Sequence, residues 1–222
     1  GIPGSNPLGG NRSSGGSSSN RSQITSTETA GMIFTVTAAD VELAWLHLAP
    51  ITAGSGISVS SAAHRAYIHD CTFDLGATAN TATMGVTMPV GVTAPNLGTV
   101  IRNCYFLAQG AVGPAVRAAQ STYGLKIESS TFELQGVTGA WAKAIQSTLV
   151  CLGTHIRDCD FLHPSLTTTV ITNAIDTTGS TADSSVHVYR CYFPEGCDAV
   201  VATATGDVAL AESYIAGATG GT

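Results

Sequence analysis

The sequence predicts an all-β fold, a right-handed parallel β-helix (a solenoid) of about seven coils. The first observation is a six-residue phrase, Ile-x-x-Cys-x-Phe, which recurs in constant internal phase while the spacing between its copies varies. This combination is typical of a solenoid whose insertions loop out of a repeating core. The second observation is the interleaving of Ala and Val with Thr, Ser and Gly, which favours short strands and tight turns. A β-sandwich, the alternative, has no reason to repeat one phrase. The copies begin at Leu43, Ile68, Ile101, Ile127, Ile156, Val188 and Leu210.

Residues 1–22 consist mainly of Gly, Ser, Asn and Pro and show almost no apolar periodicity. Such a segment buries too little apolar surface to offset the entropy that is lost on ordering. We therefore expect a flexible arm, or a loop pinned on a partner, followed by a β-helix domain over residues 23–222. The chain begins at Gly1 with neither Met nor a leader segment, and we expect it to be part of a longer or processed protein.

Each coil is predicted to open with a short alternating strand, to turn, and to close with the phrase. A corner that contains Gly or Pro then leads to the next coil. The earliest strands are expected in the segments that begin at Gln23, Met32 and Val41. The opening strands of the later coils are expected in the segments that begin at Gly56, Met84, Ala115, Ala144 and Ala174.

Positions 1, 4 and 6 of the phrase are the inward-facing ones, which strict strand alternation does not allow. A one-residue bend at position 3 would restore the alternation, because that position holds residue types that tolerate such a bend: Asp70, Asn103, Ser129 and Asp158. Phenylalanines at position 6 are then expected to stack as a ladder in the core, each contributing about 1.5–3 kcal/mol by its burial. They are Phe73, Phe106, Phe132, Phe161 and Phe193.

Four of the six cysteines share position 4 of the phrase, where other copies carry Leu or Ser, so this position is expected to be a small buried slot. Neighbouring coils lie about 4.8 Å apart, and parallel Cβ atoms at that spacing are farther apart than the ~3.8 Å of a disulfide. We therefore expect free thiols, while a bridge involving Cys151 or Cys197 stays open. No CxxC pair supports a zinc site. The four cysteines are Cys71, Cys104, Cys159 and Cys191.

The repeated phrase, from about residue 23 to residue 217, resembles the coils of the right-handed parallel β-helix superfamily, which includes pectate lyases, polygalacturonases and bacteriophage tailspikes. The resemblance implies the fold and is not specific for one member. It also implies that a pectin-cleaving member would carry grouped carboxylates and basic residues on one outer strand. The polygalacturonase motifs Asn-Thr-Asp, Gly-His-Gly and Arg-Ile-Lys are absent from the sequence, and Asp158 with Asp160 supplies too few oxygens for calcium. No catalytic residue, metal or cofactor is carried over.

Weak catalytic candidates are nevertheless present on adjacent coils. Glu128 could act with Asp158, or Asp158 with Asp160, since stacked coils can deliver the separation of about 5 Å that retaining glycosidases need or the ~6.5–9.5 Å of inverting ones. Any solenoid with polar outer columns produces such pairs by accident. We therefore favour a protein that is not an enzyme, with a polysaccharide hydrolase or lyase as the alternative.

Two outward columns are the candidate contact surfaces for a glycan or another subunit. At position 2, Arg102, Glu128 and Arg157 form a row of alternating charge, which is either an exposed ion-pair row of little energetic value or a polar floor for an acidic sugar. Position 5 carries outward tyrosines, which suit sugar stacking or a subunit interface. These tyrosines are Tyr105, Tyr192 and Tyr214.

Composition excludes several functions. The net charge of −6 and the presence of only two lysines oppose non-specific binding to nucleic acid. No apolar run approaches the roughly 18 residues of a membrane span. The six histidines share no phase and are expected to be ordinary surface or turn residues.

We therefore expect a non-catalytic structural or adhesive β-helix on a virion or other extracellular surface, such as a phage spike, fibre or head-decoration component. The expected state is a homotrimer that contacts other virion or surface proteins and binds host polysaccharide. The alternatives are a polysaccharide depolymerase and a self-assembling extracellular filament. Both ends of a solenoid carry unpaired backbone groups and need a cap or a partner.

Overall fold

The structure is a computed structural model that describes residues 23–25, 31–50, 54–76, 83–89, 94–135, 139–164, 170–179, 184–202 and 206–216. These residues form a parallel β-solenoid of strands and turns, without a helix among them. The predicted all-β solenoid is therefore confirmed. The predicted arm, residues 1–22, lies outside the described residues.

Three long sheets enclose the core, and each is named here for residues that its strands contribute. The Phe sheet holds the second half of each phrase in eight strands: β1 (Gln23–Thr25), β4 (His47–Ala49), β7 (Thr72–Asp74), β11 (Tyr105–Ala108), β15 (Thr131–Leu134), β19 (Asp160–Leu162), β22 (Tyr192–Phe193) and β25 (Tyr214–Ile215). The Ile sheet holds the first half in seven strands: β3 (Glu42–Ala44), β6 (Tyr67–His69), β10 (Val100–Arg102), β14 (Lys126–Glu128), β18 (Thr154–Arg157), β21 (Ser185–Tyr189) and β24 (Asp207–Ala211).

The opening strands of the coils form the third long sheet, the Gly/Ala sheet, in seven strands: β2 (Met32–Val36), β5 (Ser55–Val59), β8 (Met84–Met88), β12 (Val116–Ala118), β16 (Trp141–Ser147), β20 (Ile171–Thr177) and β23 (Asp198–Ala202). A fourth sheet, the short sheet, was not predicted and consists of β9 (Asn96–Leu97), β13 (Thr122–Tyr123) and β17 (Cys151–Leu152). Each coil therefore runs from the Gly/Ala sheet to the Ile sheet and then to the Phe sheet.

Successive copies of the phrase lie in register, one above the other. Ile101 pairs with Ile68 on one side and with Ile127 on the other, and all these pairings are parallel. Phe106 likewise pairs with Phe73 and with Phe132. The phrase that recurs in the sequence is thus the repeating unit of the solenoid.

The number of coils is about five rather than the predicted seven. Seven strand triplets can be traced, but the last has a neighbour on one side only, and so do β2 and β3 of the first, whereas β4 also pairs with β1. In the last triplet Val208 and Ile215 are half-buried and Leu210 is 42% exposed. The five triplets between the two ends carry the five buried phenylalanines, so the enclosed core comprises fewer turns than the copies of the phrase suggested.

The predicted phenylalanine ladder is confirmed. All five side chains are fully buried, and each ring stacks on the next with centroids 4.7 to 5.0 Å apart and planes within 12° of parallel. Offset stacking of aromatic rings adds about 0.5–1.5 kcal/mol per pair beyond the burial of apolar area. The ladder thus ties neighbouring coils together through the core.

The predicted bend at position 3 is confirmed in every copy of the phrase. The residues there have φ between 48° and 62°, in the left-handed region. The N–H groups of five of them donate to the next coil: Asn103, for example, to the carbonyl oxygen of Glu128 at 3.0 Å, and Ser129 to that of Arg157 at 3.0 Å. The bend is thus part of the hydrogen-bond ladder. The residues are Trp45, Asp70, Asn103, Ser129, Asp158, Arg190 and Glu212.

All six cysteines are free, as predicted for the four at position 4, and no bridge joins Cys151 to Cys197. The slot at position 4 also has a polar role that the sequence did not indicate. The thiol of Cys104 donates to the carbonyl oxygen of Arg102 at 3.3 Å, and the hydroxyl of Ser130 donates to that of Glu128 at 2.8 Å. Both Cys and Ser therefore suit this position, because each is small and each can donate to the carbonyl before the bend.

Candidate functional site

The three carboxylates proposed for catalysis lie on different parts of the solenoid. Glu128 projects from β14 on the Ile sheet, Asp158 occupies the bend after β18, and Asp160 projects from β19 on the Phe sheet. The bend at position 3 therefore separates Asp160 from the face that carries Glu128.

Glu128 is tied to one of its two predicted neighbours. Its Oε1 atom lies 2.9 Å from Nη2 of Arg157, and the Glu128 side chain is only 10% exposed. Arg102 lies opposite Glu128 in the strand register but takes part in no ion pair among the described residues. The predicted row of alternating charge thus contains one ion pair, between Glu128 and Arg157.

Asp158 is also occupied by an arginine. Its Oδ1 atom lies 2.8 Å from Nε of Arg190, and its Oδ2 atom accepts a hydrogen bond from Nη2 of Arg190 at 3.1 Å. The guanidinium of Arg190 in turn lies 4.7 Å from the centre of the Tyr189 ring, in a cation–π contact. Glu128 and Asp158 therefore each form an ion pair with a different arginine.

An aromatic surface forms where the Ile and Phe sheets meet near the C-terminal end. Tyr192 and Tyr214 stack with ring centres 5.6 Å apart and planes within 8° of parallel, and Tyr214 is 64% exposed. Tyr189 and Arg190 precede Tyr192 in the chain, just before the bend and at it. We call these four residues the tyrosine patch. It brings together two of the predicted contact residues.

Tyr105, the third predicted contact tyrosine, lies elsewhere on the Phe sheet. It is half-buried, and its hydroxyl donates a hydrogen bond to Glu133. The side chain of Gln135 donates to the other Glu133 oxygen at 2.7 Å. These contacts hold the Tyr105 side chain against the sheet rather than presenting its ring as a platform.

A column of basic side chains on the outer face of the Ile sheet was not predicted from the sequence. His155 lies opposite Lys126 and His187 in the register, and the two imidazoles stack with centroids 5.0 Å apart. Burial lowers the pKa of His155, and the neighbouring His187, Lys126 and Arg157 lower it further. The expectation that the six histidines share no phase is therefore wrong for two of them, since His155 and His187 each directly precede the first residue of the phrase. Extending the phrase by one residue towards the N-terminus would have revealed the column.

The short sheet adds an exposed apolar column beside these basic side chains. Leu97, Tyr123 and Leu152 lie in register and are 38%, 41% and 36% exposed. Only a single aromatic ring lies in this column, so it offers a smaller platform than the tyrosine patch.

The described residues contain no group of three or more His, Cys, Asp or Glu side chains that could hold a metal ion. Within the same residues, no helix has the length and apolar character that crossing a membrane requires.

Comparisons with protein-family models, curated proteins and solved structures found no match to this chain. The parallel β-solenoid architecture therefore stands on the strand pairing and the buried ladder themselves.

Proposed function

We propose that this chain is a non-catalytic structural and adhesive β-solenoid of the parallel β-helix superfamily, located on a virion or other extracellular surface. A phage spike, fibre or head-decoration component, working as a homotrimer with other surface proteins, fits this description. The support is architectural: in-register coils and a continuous buried ladder make a rigid rod with polar outer faces.

The proposal includes glycan binding at the tyrosine patch, and the exposed stack of Tyr214 on Tyr192 is the observation that carries it. Two parallel rings form a flat apolar surface with hydroxyl groups at its edge. Arg190 and Glu212 occupy the bends two residues before Tyr192 and Tyr214, and Glu212 accepts a hydrogen bond from the Tyr189 hydroxyl at 2.5 Å. Such a surface can stack against a sugar ring and bond its hydroxyl groups.

Hydrolysis is the second candidate and has less support. A glycosidase needs one carboxyl group that donates a proton and one that stabilises or attacks the sugar. Here Glu128 and Asp158 are each bound by an arginine, and Asp160 lies on another sheet. This arrangement favours glycan binding over hydrolysis.

Binding of immobilised bacterial capsular and O-antigen polysaccharides, measured by surface plasmon resonance, tests the adhesive function. We expect binding to one of these polysaccharides that weakens at least about tenfold when Tyr214→Ala removes the exposed ring. Tyr123→Ala, which removes a tyrosine of 41% exposure from the short sheet, is the matched control and should leave binding unchanged.

Release of reducing ends from the bound polysaccharide separates adhesion from hydrolysis, and the absorbance of a new double bond separates it from lyase chemistry. We expect neither signal. Activity that disappears in Glu128→Gln or Asp158→Asn would replace the adhesive proposal with a depolymerase. Equal loss of binding in Tyr214→Ala and Tyr123→Ala would show that the tyrosine patch is not the glycan-binding surface.

A further inference from the structure

We propose that copies of this chain associate side by side, with the outer face of strands β10, β14 and β18 of the Ile sheet of one subunit packed on the outer face of strands β7, β11, β15 and β19 of the Phe sheet of the next, which leaves the tyrosine patch on β22 and β25 uncovered. Opposite charges at matching heights on these two faces carry the proposal. It rests on the homo-oligomer of the proposed function and names its interface. It does not depend on glycan binding.

The outer face of the Ile sheet is basic over its three central strands, β10, β14 and β18. Arg102, Lys126 and Arg157 are all exposed, and the carboxylate on these strands, Glu128, is only 7% exposed and is bound to Arg157. The stacked rings of His155 and His187 extend the same face towards β21. Three cations against one carboxylate leave two net positive charges there.

The outer face of the Phe sheet has the opposite charge. None of its eight strands contains Lys or Arg, whereas Asp74, Glu133 and Asp160 project from β7, β15 and β19. Half-buried Leu107 and Leu162 lie on the same face and provide apolar contact area between the carboxylates. An interface typically combines such an apolar centre with charged groups at its rim.

The opposite charges lie at the same heights along the solenoid. Strands β14 and β15 follow one another within one coil, as do β18 and β19. Measured along the solenoid axis, the heights of Lys126 and Glu133 therefore differ by less than one coil rise, about 4.8 Å, and so do those of Arg157 and Asp160. Closed rotational symmetry allows no displacement along its axis, so matching heights are what a ring of subunits requires.

The two ends of the solenoid offer no comparable match for end-to-end stacking. Asp207 and Glu212 lie at the C-terminal end, while the exposed Arg65 near the N-terminal end is bound to Asp40 at 2.6 Å. An acidic polymer could also occupy the basic face of the Ile sheet. A second copy is favoured because its complementary face exists on the same molecule.

Sedimentation velocity of the full chain, with charge reversals on each face, tests the interface. We expect a discrete oligomer at low salt that dissociates as the ionic strength rises from about 0.01 M to about 1 M, because the Debye length falls from about 30 Å to about 3 Å. Lys126→Glu and Glu133→Lys should each raise the dissociation constant at least about tenfold, and the double variant should recover most of that loss.

Glu195→Lys makes the same change of charge as Glu133→Lys at an exposed position outside both faces, and it should leave the oligomer unchanged. Circular dichroism of each variant checks that the solenoid is folded. A wild-type monomer at every salt concentration, or an oligomer that is indifferent to both reversals, would overturn the proposal. A monomer that binds an acidic polysaccharide through Lys126 would overturn it as well. Glycan binding is measured through Tyr214, so either proposal can fail without the other.

Discussion

The rings of Phe106 and Phe132 stack with their centroids 5.0 Å apart and their planes only 4° from parallel. Both side chains are fully buried, and the backbones that carry them are paired in register on neighbouring strands of the Phe sheet. One core residue per coil thus contacts its equivalents above and below. Stability is therefore expected to depend on position in the stack as well as on residue type.

Phe132→Ala is expected to lower the free energy of unfolding by about 3–5 kcal/mol, because it leaves a cavity in the middle of the ladder and removes two ring contacts. Urea unfolding followed by circular dichroism measures the loss. Phe34→Ala is the comparison, since Phe34 is half-buried in the first strand triplet and should cost less. Equal losses of unfolding free energy at the two positions would contradict a larger contribution from the central stack.

Gly85 lies against the ladder with no space for a side chain. A Cβ atom at this position would lie 2.8 Å from a ring carbon of Phe106 and 2.7 Å from the carbonyl oxygen of Ala115. Gly85→Ala is therefore expected to destabilise the protein, by about 1–3 kcal/mol in thermal or urea unfolding.

The ring contact and the backbone contact of Gly85 can be separated with a double-mutant cycle. Combining Gly85→Ala with Phe106→Leu should cost less than the sum of the two single changes, because the smaller side chain relieves the ring contact. Strict additivity would show that the backbone contact with Ala115 alone sets the cost.

Ser129 has φ +48° at an exposed bend, where a branched side chain is strained. Ser129→Val is expected to lower the unfolding free energy by about 1–3 kcal/mol. Ser129→Gly should be neutral or stabilise by up to about 1 kcal/mol, since Gly adopts positive φ without a steric penalty. In thermal unfolding, the Val variant should unfold at a lower temperature than the wild type, and the Gly variant at the same or a higher temperature. A Val variant as stable as the wild type would contradict backbone strain at this bend.

His69 lies between two carboxylates that tie the first two strand triplets together. Its Nδ1 atom is 2.6 Å from Oδ2 of Asp70, and its Nε2 atom is 2.7 Å from Oε1 of Glu42. Burial is the largest single influence on the pKa of His69 and lowers it, but the hydrogen bonds with Asp70 and Glu42 together outweigh burial, so the pKa is raised.

The raised pKa of His69 sets the direction of a pH effect. The charged imidazole contributes its full stabilisation below the unfolded-state pKa of about 6.5, and that contribution is lost as the pH rises through the folded-state value. The difference in unfolding free energy between wild type and His69→Gln should therefore be largest below about pH 6.5 and shrink as the pH rises above it. Glu42→Gln should show a weaker pH dependence than wild type. A difference in unfolding free energy that grows with pH would contradict a raised pKa for His69.

The architecture was predictable because the phrase carries both periodicities of the coil. Apolar residues at positions 1, 4 and 6 require a bend, and the Asp, Asn and Ser residues at position 3 marked where it occurs. The ladder followed from the same phase, since equivalent residues of a solenoid lie one above another. The coil count was too high because the copies of the phrase at the two ends are incompletely enclosed: the strand that carries Leu43 and the strand that carries Leu210 each pair on one side only, and Leu210 is exposed.

The candidate sites depended on distances that no phrase encodes. The sequence by itself determined the inner face, the position of each bend and the small buried slot at position 4, because these repeat with the local backbone. The tertiary structure decided that Glu128 binds Arg157 rather than Arg102, that His155 stacks on His187, and that Tyr214 covers Tyr192. Those choices depend on side-chain geometry between coils whose sequence spacing is set by loops of unequal length.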